Sequence, residues 1–417
     1  ASNMRGTLLV LLLAFVGLSA AAVREHFIAA DEVEWDYAPT GTNLVSGLPI
    51  AEDPKSAFYF AQDTLRIGGT YIKAIYREYT DASFSRLADR PDEWEHLGIM
   101  GPPLYAEVGD TLRVHFRNNA RYNFSMNAVG LSYNKDNEGS NYPYDGPAGD
   151  GDFVRPGDEY TYTWDVPATS GPAEGDWSSV VTMYTSNVNR IADQFSGLIG
   201  PIVVTAKGMA DSSGRPQDVD REFFLALTAF SETESPYAVD NIIEYLGVDP
   251  GEAFADPGFF PSNLMHGING MLYNNLPGLT MNAYEHVRWY VFSQGNVFDI
   301  HTPNWNGQTL LDRGQHRVAT TYVFPGTTEV LEMVPDRAGE WQLHCSVNFH
   351  IDGGQQALYE VRDVSSRDQN YATTDDIASF LFRDPDTEPA ESYNSSPDDS
   401  NPFSAASSLS ASLALIV

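Results

Sequence analysis

Residues 111–118, TLRVHFRN, alternate apolar and polar side chains, and this pattern decides the fold class. Alternation with a period of two is typical of a β-strand with one buried face. Similar runs rich in Val, Tyr, Trp and Thr occur at 159–166 (EYTYTWDV), 286–292 (HVRWYVF) and 328–334 (TEVLEMV). Gly, Pro, Asn and Asp separate these runs, and long helical periodicity is scarce. The sequence therefore predicts an all-β protein of antiparallel sandwiches or barrels.

An internal repeat divides the chain. AEVGDTLRVHFRN at 106–118 parallels MNAYEHVRWYVFS at 281–293. A Gly-acidic-Trp step follows later in each copy, at 175–177 and 339–341. The repeat predicts two domains, at residues 23–208 and 221–362.

The two ends of the chain differ from its middle. Residues 1–22 hold an apolar run and a small-residue end, which predict a secretory signal peptide rather than a membrane span. Residues 363–417 are rich in Asp, Ser, Asn and Pro, and we expect an acidic, disordered tail. The last residues, LSASLALIV, weakly resemble a lipid-anchor signal but are short for one.

Charge and cysteine content narrow the function classes. The chain has 57 Asp and Glu against 24 Lys and Arg, a net charge of −33, which repels nucleic acid and favours cations. Solubility outside the cell would explain the same balance without any partner. The single cysteine excludes an intrachain disulfide. An unpaired thiol in an oxidising compartment is expected to be buried or bound to metal.

That cysteine lies in HCSVNFHIDGGQQ, residues 344–356. A type 1 copper site takes a thiolate and two imidazoles in a trigonal set, with a weak axial donor. Cys345 and His350 have suitable spacing, His301 in FDIHTPNWNG supplies a second imidazole, and Gln355 stands where an axial donor belongs. The alternative interpretation is a core thiol beside surface imidazoles.

Several longer motifs resemble one family. They are REHFIAADEVEWDYAP (24–39), HLGIMGPPLYAEVGDTLRVHF (96–116), FSGLIGPIVV (195–204), INGMLYNNLPGLTM (268–281) and EWQLHCSVNFHIDGGQQALYEV (340–361). The chain resembles the ceruloplasmin and hephaestin type of multicopper oxidase, whose cupredoxin pairs recur in the A domains of coagulation factors V and VIII. The resemblance implies two cupredoxin-like Greek-key β-sandwiches, whereas the ferroxidases of that family string together three such pairs.

The resemblance also implies which residues bind copper. It makes His301, Cys345 and His350 the type 1 ligands, with Gln355 at an axial position that the family fills with Met or Leu. Glutamine there is similar to the axial ligand of stellacyanin-type copper proteins.

The chain departs from the family where oxygen would be reduced. Family oxidases use a trinuclear copper cluster built from His-x-His pairs. The corresponding positions here hold Ser125 and Asn127, Thr185 and Asn187, Asn304 and Asn306, and Ser346, with His344 as the only imidazole. Ser186 stands where the second repeat has Cys345, so the first domain is expected to bind no type 1 copper. We expect one copper and no reduction of dioxygen to water.

A glycine-rich acidic loop, residues 133–152, matches a calcium-binding loop of the family. The resemblance suggests the Lys135 carbonyl, Glu138, Asp150 and Asp152 as calcium ligands; a solvated acidic turn is the alternative. Asn123 and Asn394 fit the N-glycosylation pattern.

The leading hypothesis is a secreted copper protein that transfers single electrons or oxidises ferrous iron or a small reductant, with an unknown acceptor. Its rival is an acidic extracellular scaffold, with or without calcium, that keeps the fold without catalysis. A third interpretation is a piece of a larger oxidase. The sequence leaves the oligomeric state open.

Overall fold

Strands form the framework of the structure, a computed structural model that describes residues 21–142, 149–295, 299–313 and 316–363. The predicted signal peptide, except for its last two residues, lies outside the described residues. The predicted tail lies outside them from residue 364 onward, and so does Asn394.

The first sandwich consists of two four-stranded sheets, ordered β4-β1-β6-β8 and β5-β10-β9-β7, with a small hairpin of β2 and β3. The strands are β1 (Val23–Asp36), β2 (Thr42–Asn43), β3 (Leu48–Pro49), β4 (Thr70–Glu78), β5 (Leu104–Glu107), β6 (Thr111–Asn118), β7 (Asn127–Ala128), β8 (Glu159–Asp165), β9 (Ser179–Thr185) and β10 (Ile199–Thr205).

The second sandwich consists of a six-stranded sheet, ordered β12-β11-β14-β18-β16-β17, and a four-stranded sheet, ordered β13-β20-β19-β15. The strands are β11 (Arg221–Ser231), β12 (Leu264–Ile268), β13 (Thr280–Asn282), β14 (Val287–Ser293), β15 (Pro303–Trp305), β16 (Leu310–Asp312), β17 (His316–Val318), β18 (Thr328–Met333), β19 (Gly339–Cys345) and β20 (Gln356–Arg362).

Helices are short and lie in the connections. The α-helices are α1 (Ala57–Phe60), α2 (Ala192–Ser196), α3 (Ala238–Asn241), α4 (Pro250–Ala255), α5 (Phe259–Ser262) and α6 (Asn348–Asp352). Three 3-10 turns (Asp92–Leu97, Lys135–Asn137, Ala168–Ser170) and one π-helical turn (Ile242–Leu246) complete the set. In the described part of the chain, every helix falls short of the length and apolarity that a membrane crossing requires.

The internal repeat appears in the strand pairing. β1 runs parallel to β6, and β6 pairs antiparallel with β8. In the second sandwich β11 runs parallel to β14, and β14 pairs antiparallel with β18. The two halves therefore repeat one topology, and the predicted all-β fold of two cupredoxin-like sandwiches is confirmed.

The alternation that predicted β6 corresponds to its burial. Leu112, Val114 and Phe116 are fully buried in the core of the first sandwich, while the residues between them are partly exposed. Burying each such side chain contributes about 1.5–3 kcal/mol, so the alternating run fixes which face of the strand points inward.

A buried ion pair links the two halves. The ammonium of Lys73 on β4 donates hydrogen bonds to the carboxylate of Glu232, just after β11, and to the carbonyl of Phe195 at 2.7 Å. The Tyr37 hydroxyl also donates to Glu232. Burial lowers the pKa of Lys73, and Glu232 opposes that effect. Because both charges are almost fully buried, each requires the other to remain ionised.

Candidate metal centre

Two strands and one short helix bring the predicted ligands together. β15 pairs antiparallel with β19 so that Pro303 lies opposite Cys345. His301 comes two residues before Pro303, and Cys345 is the last residue of its strand. The chain then turns into α6, which returns His350 toward the same end of the sheet. Strand pairing thus brings His301 next to Cys345, although the two are far apart in the sequence. The turn into α6 brings His350 back toward both.

The three side chains form a compact triangle of donor atoms. Nδ1 of His301 lies 3.1 Å from Nδ1 of His350, and the Cys345 sulfur lies 3.9 Å and 3.5 Å from these nitrogens. A point equidistant from atoms at these separations lies about 2 Å from each, which is the length of a metal–imidazole bond. All three residues are buried. The donor set therefore fits one transition-metal ion with a preference for soft ligands.

The environment of Cys345 favours its thiolate. Burial acts to raise the pKa of the thiol. The hydrogen bond with His301 and the backbone N–H groups of Thr302 and Val347 lower it, and the net result is a pKa below the ordinary value. The Thr302 N–H donates to the sulfur at 3.4 Å. Since a thiolate is the metal-binding form of cysteine, these donors prepare the ligand before a metal arrives.

Asp299 contacts the His301 ring at Nε2, the nitrogen that does not face the triangle. The sequence analysis did not identify this residue. Its Oδ1 lies 3.1 Å from Nε2 of His301 and accepts a hydrogen bond from the Ala229 N–H at 2.6 Å. Burial lowers the pKa of His301, but Asp299 and then Cys345 raise it above the ordinary value. With Nε2 bound to Asp299, Nδ1 is the nitrogen that faces the cluster. Its position two residues before His301 was an available signal, because alternate residues of an extended chain share a face.

Gln355 lies beside the triangle through backbone contacts. Its N–H donates to the His350 carbonyl at 2.9 Å, and its carbonyl accepts from the Cys345 N–H at 3.1 Å. The side-chain amide donates to the Gly267 carbonyl at 3.0 Å. The other side-chain atom, Oε1, is buried and receives no hydrogen bond from the described residues. Oε1 would therefore be available as a further donor if the centre held a metal ion.

A further imidazole, His266 of β12, packs against the centre. Its ring stacks on that of His350 at a centroid distance of 4.9 Å, and Phe349 covers both imidazoles from the side. Burial and then repulsion by His301 lower the pKa of His266 to about 4, so the ring is neutral at physiological pH. His266 is not one of the three residues of the triangle. It shields the centre from water.

The equivalent position in the first sandwich is built differently. The Ser186 hydroxyl donates to the carboxylate of Asp193 at 2.6 Å and accepts from the Ser125 N–H at 3.1 Å. Burial raises the pKa of Asp193 to about 6. Among the described residues, His301, Cys345 and His350 form the only close group of three or more His, Cys, Asp or Glu side chains.

The remaining oxidase-type positions of the second sandwich are polar but hold a single imidazole. His344 on β19 lies opposite Asn304 and is half-buried, and burial lowers its pKa. Asn306 and Ser346 are exposed. These neutral oxygen and amide groups are weaker copper ligands than imidazoles.

The predicted calcium loop contains an internal cation. The Lys135 ammonium pairs with the carboxylate of Glu138 and lies 3.9 Å from that of Asp152. Asp150 is exposed, and its N–H donates to Asp136. The Lys135 carbonyl accepts from the Glu138 N–H at 3.3 Å. The structure thus groups Glu138 and Asp152 around a lysine, and calcium binding stays a prediction.

Asn123 lies on the surface of the first sandwich, directly before the buried Phe124. An exposed side chain is accessible to modification, and glycosylation there stays a prediction.

Two models of the family described as multicopper oxidase match the chain, at residues 97–208 and 258–365, together more than half of it. The second match contains all three donors of the triangle.

Curated relatives are similar over most of the chain. Ceruloplasmin of Homo sapiens is 41% identical over 84% of this chain and 33% of its own length. Hephaestin of Rattus norvegicus is 38% identical over 82% of this chain and 30% of its own length. The ferroxidase HEPHL1 of Mus musculus is 38% identical over 85% and 31%, respectively. The chain thus spans about one third of the length of these relatives.

Solved structures show the same fold at low sequence identity. A structure described as multicopper oxidase mgLAC has a TM-score of 0.52 and 16% identity, over 87% of this chain and 93% of that one. The matched fold, the family models and the relatives agree. The chain belongs to the multicopper oxidase family, among its ceruloplasmin- and hephaestin-like members.

Proposed function

We propose that this protein is a secreted copper protein with a single type 1 site, which transfers one electron at a time. The observation that carries the proposal is the buried triangle of two imidazole nitrogens and one thiol sulfur. Two nitrogens and a sulfur in a trigonal set suit copper in both of its common oxidation states.

Each residue has a definite part in this proposal. Cys345 supplies the thiolate, because its hydrogen-bond donors hold the pKa of the thiol below its ordinary value. His301 is held in one orientation by Asp299, and His350 is held between His301 and the ring of His266. When bound, copper would accept one electron and release it again. Burial of the ligands excludes water, so little reorganisation accompanies the change of charge.

Reduction of dioxygen to water is not part of the proposal. That reaction takes four electrons, and one copper stores one. Asn127, Thr185 and Asn187 replace imidazoles in the first sandwich, and the described residues contain no second group of metal-ligating side chains. An electron accepted at this centre would therefore leave to a separate acceptor.

Ferrous iron or a small reductant is the proposed electron donor. The relative HEPHL1 carries the name ferroxidase, and the net charge of −33 raises the concentration of cations near this protein. Because the chain spans a third of the relatives' length, iron oxidation by the whole protein is inferred for this chain and tested as follows.

The first experiment measures bound metal and the visible spectrum of the full chain. We expect about one copper per chain and an intense thiolate-to-copper absorption band. Cys345→Ser should lose both the band and most of the copper while keeping the circular dichroism of the parent. Ser346→Ala is the matched control, because it changes an exposed neighbour and should keep the band. A colourless parent that binds no copper would contradict the proposal.

A second experiment supplies ferrous iron under air and follows iron and oxygen separately. We expect each chain to oxidise about one iron when no acceptor is present, and to turn over only when an artificial one-electron acceptor is added. Repeated turnover with oxygen consumed and water formed, by a protein that binds further copper, would show that the oxygen-reducing cluster is present.

A further inference from the structure

A polar pocket lies where the first sandwich meets residues 294–295 and 325–326 of the second, at three of the positions where the family resemblance places histidine pairs. Its volume is about 560 Å³. Asn127 from β7, Thr185 from β9, Asn187 and Ser140 form its floor, and each is at least nine-tenths buried. These side chains are shorter than histidine, so open space remains at this place.

The floor offers both hydrogen-bond donors and acceptors. The Thr185 hydroxyl donates to the side-chain Oδ1 of Asn187, and Nδ2 of Asn187 donates to the Ser140 hydroxyl, both at 3.3 Å. The Asn127 amide donates to the Glu138 carbonyl at 2.6 Å and to the Tyr133 hydroxyl at 3.3 Å. Among the described residues both hydrogen bonds of the Asn127 side chain are made by Nδ2, so Oδ1 accepts none. The contacts at 3.3 Å lie near the outer limit of good hydrogen bonds, so a ligand can replace them at low cost.

The rim of the pocket contains one cationic side chain and two exposed apolar side chains, which form an apolar lip. Arg190 is exposed and makes no ion pair or hydrogen bond with the described residues. Val129 and Ile191 expose 40% and 64% of their surfaces at the same opening. The carboxylate of Glu138 is already engaged by the Lys135 ammonium and by the Tyr142 hydroxyl at 2.5 Å.

The charges select the class of ligand. A cation would meet Arg190 and find no free carboxylate. An anion would be repelled by the net charge of −33. It would also bring hydrogen-bond acceptors next to Oδ1 of Asn127, which is itself an acceptor. Hydroxyl groups both donate and accept, so they match a mixed floor, and C–H faces suit the apolar lip. The volume is within the range of small-molecule sites.

We propose that the pocket lined by Asn127, Ser140, Thr185, Asn187 and Arg190 binds a neutral polyhydroxylated molecule of monosaccharide size. This site does not involve the copper ligands.

The test titrates the full chain with glucose, mannose and N-acetylglucosamine, by calorimetry and by ligand-observed NMR, and with gluconate as the acidic analogue. At least one neutral sugar should bind saturably and more tightly than gluconate. Asn127→Leu should weaken binding about tenfold or more, since it removes an amide from a buried floor. Arg190→Ala is the second variant, because an exposed side chain can be removed without loss of the fold, and it should also weaken binding.

Asn306→Ala, an exposed change in the second sandwich, serves as the control and should leave sugar affinity unchanged. No saturable binding of any neutral sugar at millimolar concentration would overturn the proposal. Tighter binding of gluconate would overturn the ligand class, and equal loss of affinity in Asn306→Ala would overturn the location.

Discussion

Substitution of Asp299 by Asn tests how the metal centre is held. The Asn side chain keeps an oxygen that can accept from the Ala229 N–H, so the backbone stays in place while the charge behind His301 is removed. Loss of such a carboxylate partner usually lowers metal affinity about ten- to a hundredfold. Because Asp299 and His301 are fully buried and 3.1 Å apart, water does not screen their interaction, and we expect a loss toward the upper end.

The loss should depend on pH in a defined direction. Asp299 helps to raise the pKa of His301 above its ordinary value. Below that pKa the imidazole is protonated, and copper must displace the proton, so the affinity of the parent falls as the pH falls. Asp299→Asn lowers the pKa of His301 and weakens this competition. The difference in affinity between parent and variant should therefore be largest at mildly alkaline pH and shrink in acid.

Competition with a copper chelator of known affinity, at several pH values, measures both effects. Asp158→Asn removes an exposed carboxylate of the first sandwich and is the control for net charge. Thermal unfolding of the metal-free proteins shows whether the fold is intact. Equal copper affinity of parent and Asp299→Asn at every pH would refute the role of Asp299, and a loss that grows in acid would refute the protonation argument.

Three further predictions concern other residues. Gln355→Met should raise the reduction potential of the copper and Gln355→Leu should raise it further, because an amide oxygen stabilises copper(II) more than a thioether does. Equal potentials of the three proteins in voltammetry would exclude Gln355 as axial ligand. Glu232→Leu should lower the free energy of unfolding, measured by denaturant titration, by about 3–5 kcal/mol, because it leaves the Lys73 ammonium buried without a counter-charge. Adding Lys73→Met should recover part of this loss. Calcium should raise the melting temperature if the acidic loop binds it, and the double change Glu138→Ala, Asp152→Ala should abolish the rise. If calcium does not change the melting temperature of the parent protein, the loop is a turn built around Lys135 and not a calcium site.

Local patterns predicted the strands and most of the triangle. The alternation of 111–118 fixed the inward face of β6, because burial follows a period of two whatever the rest of the fold does. The Cys345–His350 spacing was informative for a similar reason, since the two ligands are joined by one short turn of helix.

Contacts between distant segments were not predictable in this way. His266 reaches His350 only because β12 packs beside α6, and nothing near His266 in sequence indicates that contact. The ammonium of Lys135 stands among the proposed calcium ligands, although the composition of the loop indicated only a concentration of acids. Side-chain direction in an irregular loop depends on tertiary packing rather than on local propensity.

The ion pair of Lys73 and Glu232 bears on why the chain carries a first sandwich that lacks the copper ligands. Each half contributes one charge of that pair. Either half expressed alone would therefore contain an ionised group whose counter-charge is on the other half. We therefore expect the second sandwich to be less stable when it is expressed without the first. A gene shortened to the second half would keep His301, Cys345 and His350 but would leave the carboxylate of Glu232 without the Lys73 ammonium that neutralises it.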